Sequence, residues 1–156
     1  MDNDIFGNPF WGKAAQMGVK MLDGRILERD SLAFPEGKIP LMRKPIAGED
    51  VQDPLNIIGV IEHLWYGDES GLQTIYFDGH WLKKHEAYLR EYPEHRWPAL
   101  SANRCEFKST PDGQLITYGE ITQLHLTDRE TWLGSTSTFI FDTQLPPSLK
   151  NRGGLI

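Results

Sequence analysis

Residues 57–77, which read IIGVIEHLWYGDESGLQTIYF, decide the fold class. Two runs rich in β-branched and aromatic residues, 57–65 and 72–77, flank the segment 66–71, which is rich in glycine and acidic residues. Strand-forming runs on either side of a short glycine-containing segment are typical of a β-hairpin. The stretch therefore predicts two antiparallel strands.

The same reasoning extends the sheet in both directions along the chain. Thr110-Pro111-Asp112-Gly113 has strong turn chemistry and predicts a second hairpin. Between the two hairpins, residues 81–92 have apolar residues at helical spacing and precede Pro93, which predicts one main helix. Further predicted strands lie at residues 25–34, 38–42, 105–108, 114–118 and 131–141.

These elements predict an α+β fold that is mainly antiparallel β, as a small partly closed barrel or sandwich with one main helix. Extended arms are expected at both ends. Residues 1–22 are predicted to form an N-terminal arm with a weak helix, which Asn8 would cap and Pro9 would begin. Residues 23–143 form the predicted β-rich domain, and residues 144–156 form a C-terminal arm.

Composition and charge narrow the function. The chain has 156 residues and a net charge of −6. This charge argues against nucleic acid as a partner, because proteins that bind nucleic acid present clustered Lys and Arg. Its apolar runs are too short to cross a membrane, and its acidic N-terminus is unlike a secretion signal, so synthesis and folding in the cytoplasm are expected. The single cysteine, Cys105, is predicted to be a buried thiol.

The sequence offers no convincing catalytic, cofactor or metal site. His80 and His85 are five residues apart, whereas two zinc ligands on one helix face are four apart, so a solvated helix face is the better interpretation. We assign no catalytic residue, no cofactor and no metal from the sequence.

Aromatic and proline-rich residues near the two ends predict an interface with a partner. Large apolar side chains outside a predicted domain are typical interface anchors. The predicted partner-binding residues are Phe6, Phe10, Trp11, Leu145, Pro146, Pro147 and Leu149.

Several short motifs resemble the N-terminal half of tailed-phage capsid maturation (prohead) proteases. They are a basic-apolar strand, a Pro-Leu-Met strand, an Ile-Gly-x-Ile strand, a Gly-Leu hairpin and a later apolar strand. In this chain they are Asp23-Gly24-Arg25-Ile26, Lys38-Ile39-Pro40-Leu41-Met42, Ile58-Gly59-Val60-Ile61-Glu62, Gly71-Leu72 with Phe77-Asp78-Gly79, and residues 118–126. The resemblance implies a barrel-like fold.

The chain departs from that family at the catalytic positions. The family's histidine follows the Pro-Leu-Met strand, but residues 43–48 contain no histidine, and residues 124–126 offer no central hydroxyl for the nucleophile. The resemblance thus implies a prohead protease-like fold without its active site. It predicts a non-enzymatic virion structural protein, a decoration or minor capsid component of a bacteriophage. Such a protein binds the major capsid protein and stabilises the capsid shell, and it could also associate with itself. It is expected in the virion and, during assembly, in the host cytoplasm.

Two alternatives stay open at this point. An active capsid maturation serine protease would need His63 or His125 to pair with Ser101 or Ser135. A small ligand-binding module would bind carbohydrate or peptide through exposed Trp side chains.

Overall fold

A computed structural model describes residues 5–43, 56–111, 113–130 and 136–139. Within these residues the chain forms nine strands, a single turn of 3-10 helix at Lys83–His85 and one short α-helix. The strands are β1 Phe6–Gln16, β2 Arg25–Leu27, β3 Leu32–Ala33, β4 Ile39–Met42, β5 Ile57–Glu69, β6 Leu72–Leu82, β7 Trp97–Thr110, β8 Gly113–Thr127 and β9 Thr136–Phe139; the helix α1 is Glu86–Glu91.

All nine strands belong to one sheet. Its order is β2-β8-β4-β5-β6-β1-β9, with β3 and β7 also paired to β8. The β5–β6 and β7–β8 hairpins are antiparallel, as are the β4–β5, β6–β1 and β1–β9 pairs. The predicted class, mainly antiparallel β with one helix, is confirmed. The two hairpins are also where the sequence predicts them.

Strand β8 connects the two halves of the sheet. One edge pairs with β7 along most of its length, while the other edge accepts β2, β3 and β4 in turn, each parallel to it. The predicted strand at residues 25–34 is therefore two short strands, separated at Asp30, which has a positive φ of 62°. Two hydrogen bonds hold this interruption in place: the Asp30 backbone N–H donates to Gln73 Oε1, and the Gln73 side-chain amide donates to Asp30 Oδ1.

The sheet curls but does not close into a barrel. The β9 end approaches the segment before β7, where the Ser137 hydroxyl donates a hydrogen bond of 2.6 Å to the Arg96 carbonyl. A cavity of about 550 Å³ remains between the facing ends, lined by Ala14 and Ala15 of β1, Leu27 of β2 and Leu100 of β7, among others. In the described residues, the two ends of the sheet therefore face each other without strand pairing between them.

The core fills the inside of the curl. Burying each large aliphatic or aromatic side chain contributes about 1.5–3 kcal/mol, so this cluster supplies most of the driving force for folding. The largest fully buried apolar side chains are Phe10, Leu41, Ile58, Ile61, Ile75, Phe77, Leu89, Leu124 and Leu126.

The N-terminal helix predicted within residues 1–22 is wrong, because Phe6–Gln16 is strand β1 and lies inside the sheet. The burial along the strand alternates: Phe10, Gly12 and Ala14 are buried, whereas Pro9 and Trp11 are exposed. That period of two marks a half-buried strand. This stretch is part of the domain, not an arm apart from it.

The predicted helix at residues 81–92 is shorter than expected. Strand β6 continues to Leu82, and the α-helix covers only Glu86–Glu91. Trp81 ends the inward-facing row of β6 that begins with Ile75 and Phe77, and its ring lies against Gly7 of β1. Packing of Trp81 into the sheet outweighs the helical spacing of the residues that follow.

Arg96 ties the helix to the far edge of the sheet. Its guanidinium donates hydrogen bonds to the Leu89 and Tyr92 carbonyls at the end of α1 and lies 4.9 Å from the centre of the Phe139 ring. Burial lowers the pKa of Arg96 from its ordinary value. The half-buried cation thus adds hydrogen-bond donors for carbonyls at the C-terminal end of the helix.

Substitution of Gly79 should have a large effect on stability. A Cβ at this position would lie 1.9 Å from the Val60 carbonyl oxygen of β5, closer than any real contact. We expect Gly79→Ala to lower the free energy of unfolding by about 2–4 kcal/mol, because β5 and β6 must separate. Urea denaturation monitored by circular dichroism measures this.

Gly37→Ala is the matched control, since a Cβ there meets nothing within 4 Å. Its free energy of unfolding should stay within about 1 kcal/mol of the parent. Equal effects of the two substitutions would contradict the close approach of β5 and β6.

Candidate binding face

The outward side of β5, β6 and β1 carries a cluster of rings and charged groups. Directly opposite residues on paired strands point to the same side of a sheet, so the strand register defines the cluster. One row is His63, Asp78 and Trp11, and the next is Trp65, Tyr76 and Lys13. We call these six residues the aromatic face.

A β-bulge at Glu62 turns this face outward. Before the bulge, Ile61 of β5 lies opposite Gly79; after it, His63 lies opposite Asp78, so Glu62 is an extra residue. An inserted residue switches the inward-facing set, because the side-chain period of a strand is two. Trp65 consequently points away from the core and is 42% exposed.

The rings on the face are held by their neighbours. Trp65 and Tyr76 stack with centroids 5.8 Å apart and an angle of 20° between their planes. The Tyr76 ring also covers Gly67, where an added Cβ would lie 2.6 Å from a ring carbon. Gly67 therefore provides the space in which the Tyr76 ring lies along the sheet.

The charged groups of the face are paired. His63 Nδ1 lies 2.6 Å from Asp78 Oδ1, and Lys13 Nζ lies 2.5 Å from Glu69 Oε2. His63 is largely exposed, and the other three are partly exposed. The face thus combines flat apolar rings with hydrogen-bonding groups that water or a ligand can reach.

The predicted interface residues near the N-terminus have different environments. Phe6 is half-buried, with its ring 6.2 Å from that of His80. Trp11 is 43% exposed and belongs to the aromatic face. Phe10 is fully buried and stacks on Phe139 at 4.8 Å, so its prediction as a partner contact is wrong.

The other four predicted contacts, Leu145, Pro146, Pro147 and Leu149, lie outside the described residues.

The histidines named for the protease alternative pair with groups that are not nucleophiles. His63 contacts Asp78, and His125 lies 2.7 Å from the Gln123 side-chain amide nitrogen. Ser101 is opposite Gln123 on β7, and Ser135 lies outside the described residues. Burial lowers the pKa of His125. These contacts give no support to a Ser–His pair at Ser101.

Cys105 is exposed, so its prediction as a buried thiol is wrong. It lies in the part of β7, residues 103–109, that is exposed throughout. Among the residues that the structure describes, this part of β7 pairs with β8 alone.

Within the ranges that the structure describes, His, Cys, Asp and Glu side chains form no group of three that could hold a metal ion. Among the same residues, no helix has the length and apolar character needed to cross a membrane.

Sequence reasoning missed Trp65, Tyr76 and the His63–Asp78 pair as one surface. The alternation of β5 and β6 was visible in the sequence, but the bulge at Glu62 that decides which side faces out was not. In the sequence, a glycine within a predicted strand can indicate a close approach to the neighbouring strand, and Gly79 was the residue that could have indicated the approach of β6 to the apolar run 57–61 of β5.

No family model, curated protein or solved structure matches the chain.

Neighbouring residues of β1 provide a direct stability test of its orientation. Phe10→Ala should lower the free energy of unfolding by about 3–5 kcal/mol, because it removes a fully buried ring. Trp11→Ala should change it by less than about 1 kcal/mol, because that ring is exposed. Chemical denaturation of both variants measures the difference, and a reversed order would contradict the strand's orientation.

Proposed function

We propose that the protein is a non-enzymatic structural component of a tailed-phage virion that binds and stabilises the capsid shell. The proposal is supported by the resemblance of its motifs to prohead proteases and by the departures at the catalytic positions. The mostly antiparallel sheet is compatible with that resemblance in its strands, but it does not close into the barrel that the resemblance implies. The major capsid protein is the proposed partner.

The observation that carries the proposal is where the chain enters β1 and where it leaves β9. The arms are from here on residues 1–5, before β1, and residues 140–156, after β9. β1 and β9 are antiparallel neighbours, with Phe10 opposite Phe139. The chain therefore enters β1 and leaves β9 at the same end of the sheet. Ile5, just before β1, is 54% exposed there.

Both arms can reach one neighbouring surface from this end. Leu145 is six residues beyond Phe139, a stretch that spans at most about 20 Å. We propose that Ile5 and the segment Leu145-Pro146-Pro147-Ser148-Leu149 bind the capsid subunit together. Each contact is weak, but many copies on a symmetric shell add their effects.

Cosedimentation with empty capsids tests the proposal. The capsids are assembled from the major capsid protein encoded in the same genome as this chain. The parent protein should bind saturably, and the double variant Leu145→Ser/Leu149→Ser should bind at least about tenfold more weakly, because apolar anchors dominate such contacts. Ile5→Ser should weaken binding as well.

Point variants are preferable to deletion of residues 1–20, which would remove β1 and its core residue Phe10. Phe107→Ala is the control, since Phe107 is 54% exposed on β7, where it lies opposite Ile116 of β8. Absence of parent binding, or equal binding by the arm variants, would contradict the proposal.

A further inference from the structure

We propose that the aromatic face is a binding site for a neutral oligosaccharide. This site is separate from the arms and does not depend on attachment to a capsid. Three features of the face favour such a ligand: the exposed rings, the paired charges and the rigid strands beneath them.

The rings provide flat apolar surfaces of the kind that sugars cover. One side of a pyranose ring presents aliphatic C–H groups, which pack against the face of Trp or Tyr, whereas the edge presents hydroxyls. Trp11 and Trp65 are both more than 40% exposed, although tryptophan is highly buried on average. Two exposed tryptophans on one side of one sheet therefore point to a ligand with flat apolar surfaces.

The spacing of the rings favours a chain of sugars over a single one. Trp11 and Trp65 are on β1 and β5, with β6 between them, and are offset by two residues along the strands. With about 4.8 Å between strands and about 3.3 Å per residue, their Cα atoms are roughly 12 Å apart. Tyr76 lies between them and stacks on Trp65, so a bound chain can contact three rings in succession.

The charges on the face argue for an uncharged ligand. Lys13 is paired with Glu69, and the Asp78 carboxylate is engaged by His63. A phosphorylated or sulfated ligand would need a cation that is free to bind it, and Lys13 is the one Lys or Arg in the two rows that define the face. Neutral hydroxyls need only donors and acceptors, which these pairs supply.

The polar groups also lie between the rings, where sugar hydroxyls would point. Asp78 stands in one row between His63 and Trp11, so its carboxylate can accept from hydroxyls of a sugar that is packed on Trp11. His63 offers a second ring nitrogen beside it, since only Nδ1 contacts Asp78. A protein partner with a continuous apolar surface would leave these groups without hydrogen bonds, at a cost.

The site is built on rigid elements. All six residues of the face lie within three hydrogen-bonded strands, and the Tyr76 ring is seated over Gly67. A preformed surface loses little conformational freedom on binding, so its few contacts suffice for measurable affinity.

The test begins with the purified full chain and a set of linear neutral hexasaccharides of glucose, galactose, mannose and N-acetylglucosamine. Titration monitored by tryptophan fluorescence should show saturable binding of at least one of them, with a Kd between about 10 µM and 1 mM. Matched sialylated and sulfated glycans should bind at least about tenfold more weakly. Absence of binding by every neutral hexasaccharide, or a preference for the charged glycans, would overturn the proposal.

Variants identify the surface. Trp65→Ala and Trp11→Ala should each weaken binding at least about tenfold, and Trp65→Tyr should restore most of the affinity because it restores a ring. Phe107→Ala, which removes an exposed ring outside the face, should bind like the parent. Unchanged affinity in Trp65→Ala would show that any sugar binds elsewhere and would overturn the proposal.

A glycine pair tests the seating of Tyr76 without removing a ring. Gly67→Ala should displace the Tyr76 ring and weaken binding several-fold, whereas Gly37→Ala should not. Isothermal calorimetry supplies the affinities, and circular dichroism confirms that each variant is folded. Equal affinities of the two folded variants would contradict the role of the Tyr76 ring.

The capsid cosedimentation separates this inference from the proposed function. Trp65→Ala should still bind capsids, and the Leu145→Ser/Leu149→Ser variant should still bind the sugar. Loss of both activities in Trp65→Ala would overturn the assignment of two separate surfaces.

Discussion

The close approach of β5 and β6 at Gly79 governs both the core and the outward face of the sheet. At this point Ile61 lies opposite Gly79, and the extra residue Glu62 follows at once. No residue with a Cβ fits beside the Val60 carbonyl. The bulge that follows determines that Leu64 and Tyr66 face inward while His63 and Trp65 face outward. One strand register thus determines both which side chains form the core and which form the binding face.

Elements that are determined by residues close together in the sequence were predictable, whereas elements that depend on distant contacts were not. The two hairpins were predictable, because their turn residues and β-branched runs are adjacent in sequence. Strand β1 was not recognised, because Asn8 and Pro9 suggest a helix start and only pairing with β6 and β9 shows the strand. The helix was overextended for a similar reason: Trp81 has helical spacing with His85, yet it packs against Gly7, which is more than seventy residues away. Tertiary contacts of this kind overrode local spacing.

The candidate site was less predictable than the fold. The sequence identified Trp11 as an interface residue but assigned the same role to Phe10, whose side chain points the opposite way. Trp65 and Tyr76 are absent from the predicted site residues, since most aromatic residues in strands are buried. The exposure of Trp65 follows from one inserted residue in β5, and no pattern in a single sequence distinguishes a bulge from a continuous strand. Once the bulge is known, period-two alternation accounts for the whole aromatic face.

Cross-strand nuclear Overhauser effects between assigned protons measure the bulged register of β5 against β6. We expect contacts of Ile61 with Gly79, His63 with Asp78 and Trp65 with Tyr76. An unbroken ladder would instead place Glu62 opposite Asp78 and Leu64 opposite Tyr76. That result would turn Trp65 toward the core and would contradict both the fold and the binding face described for it.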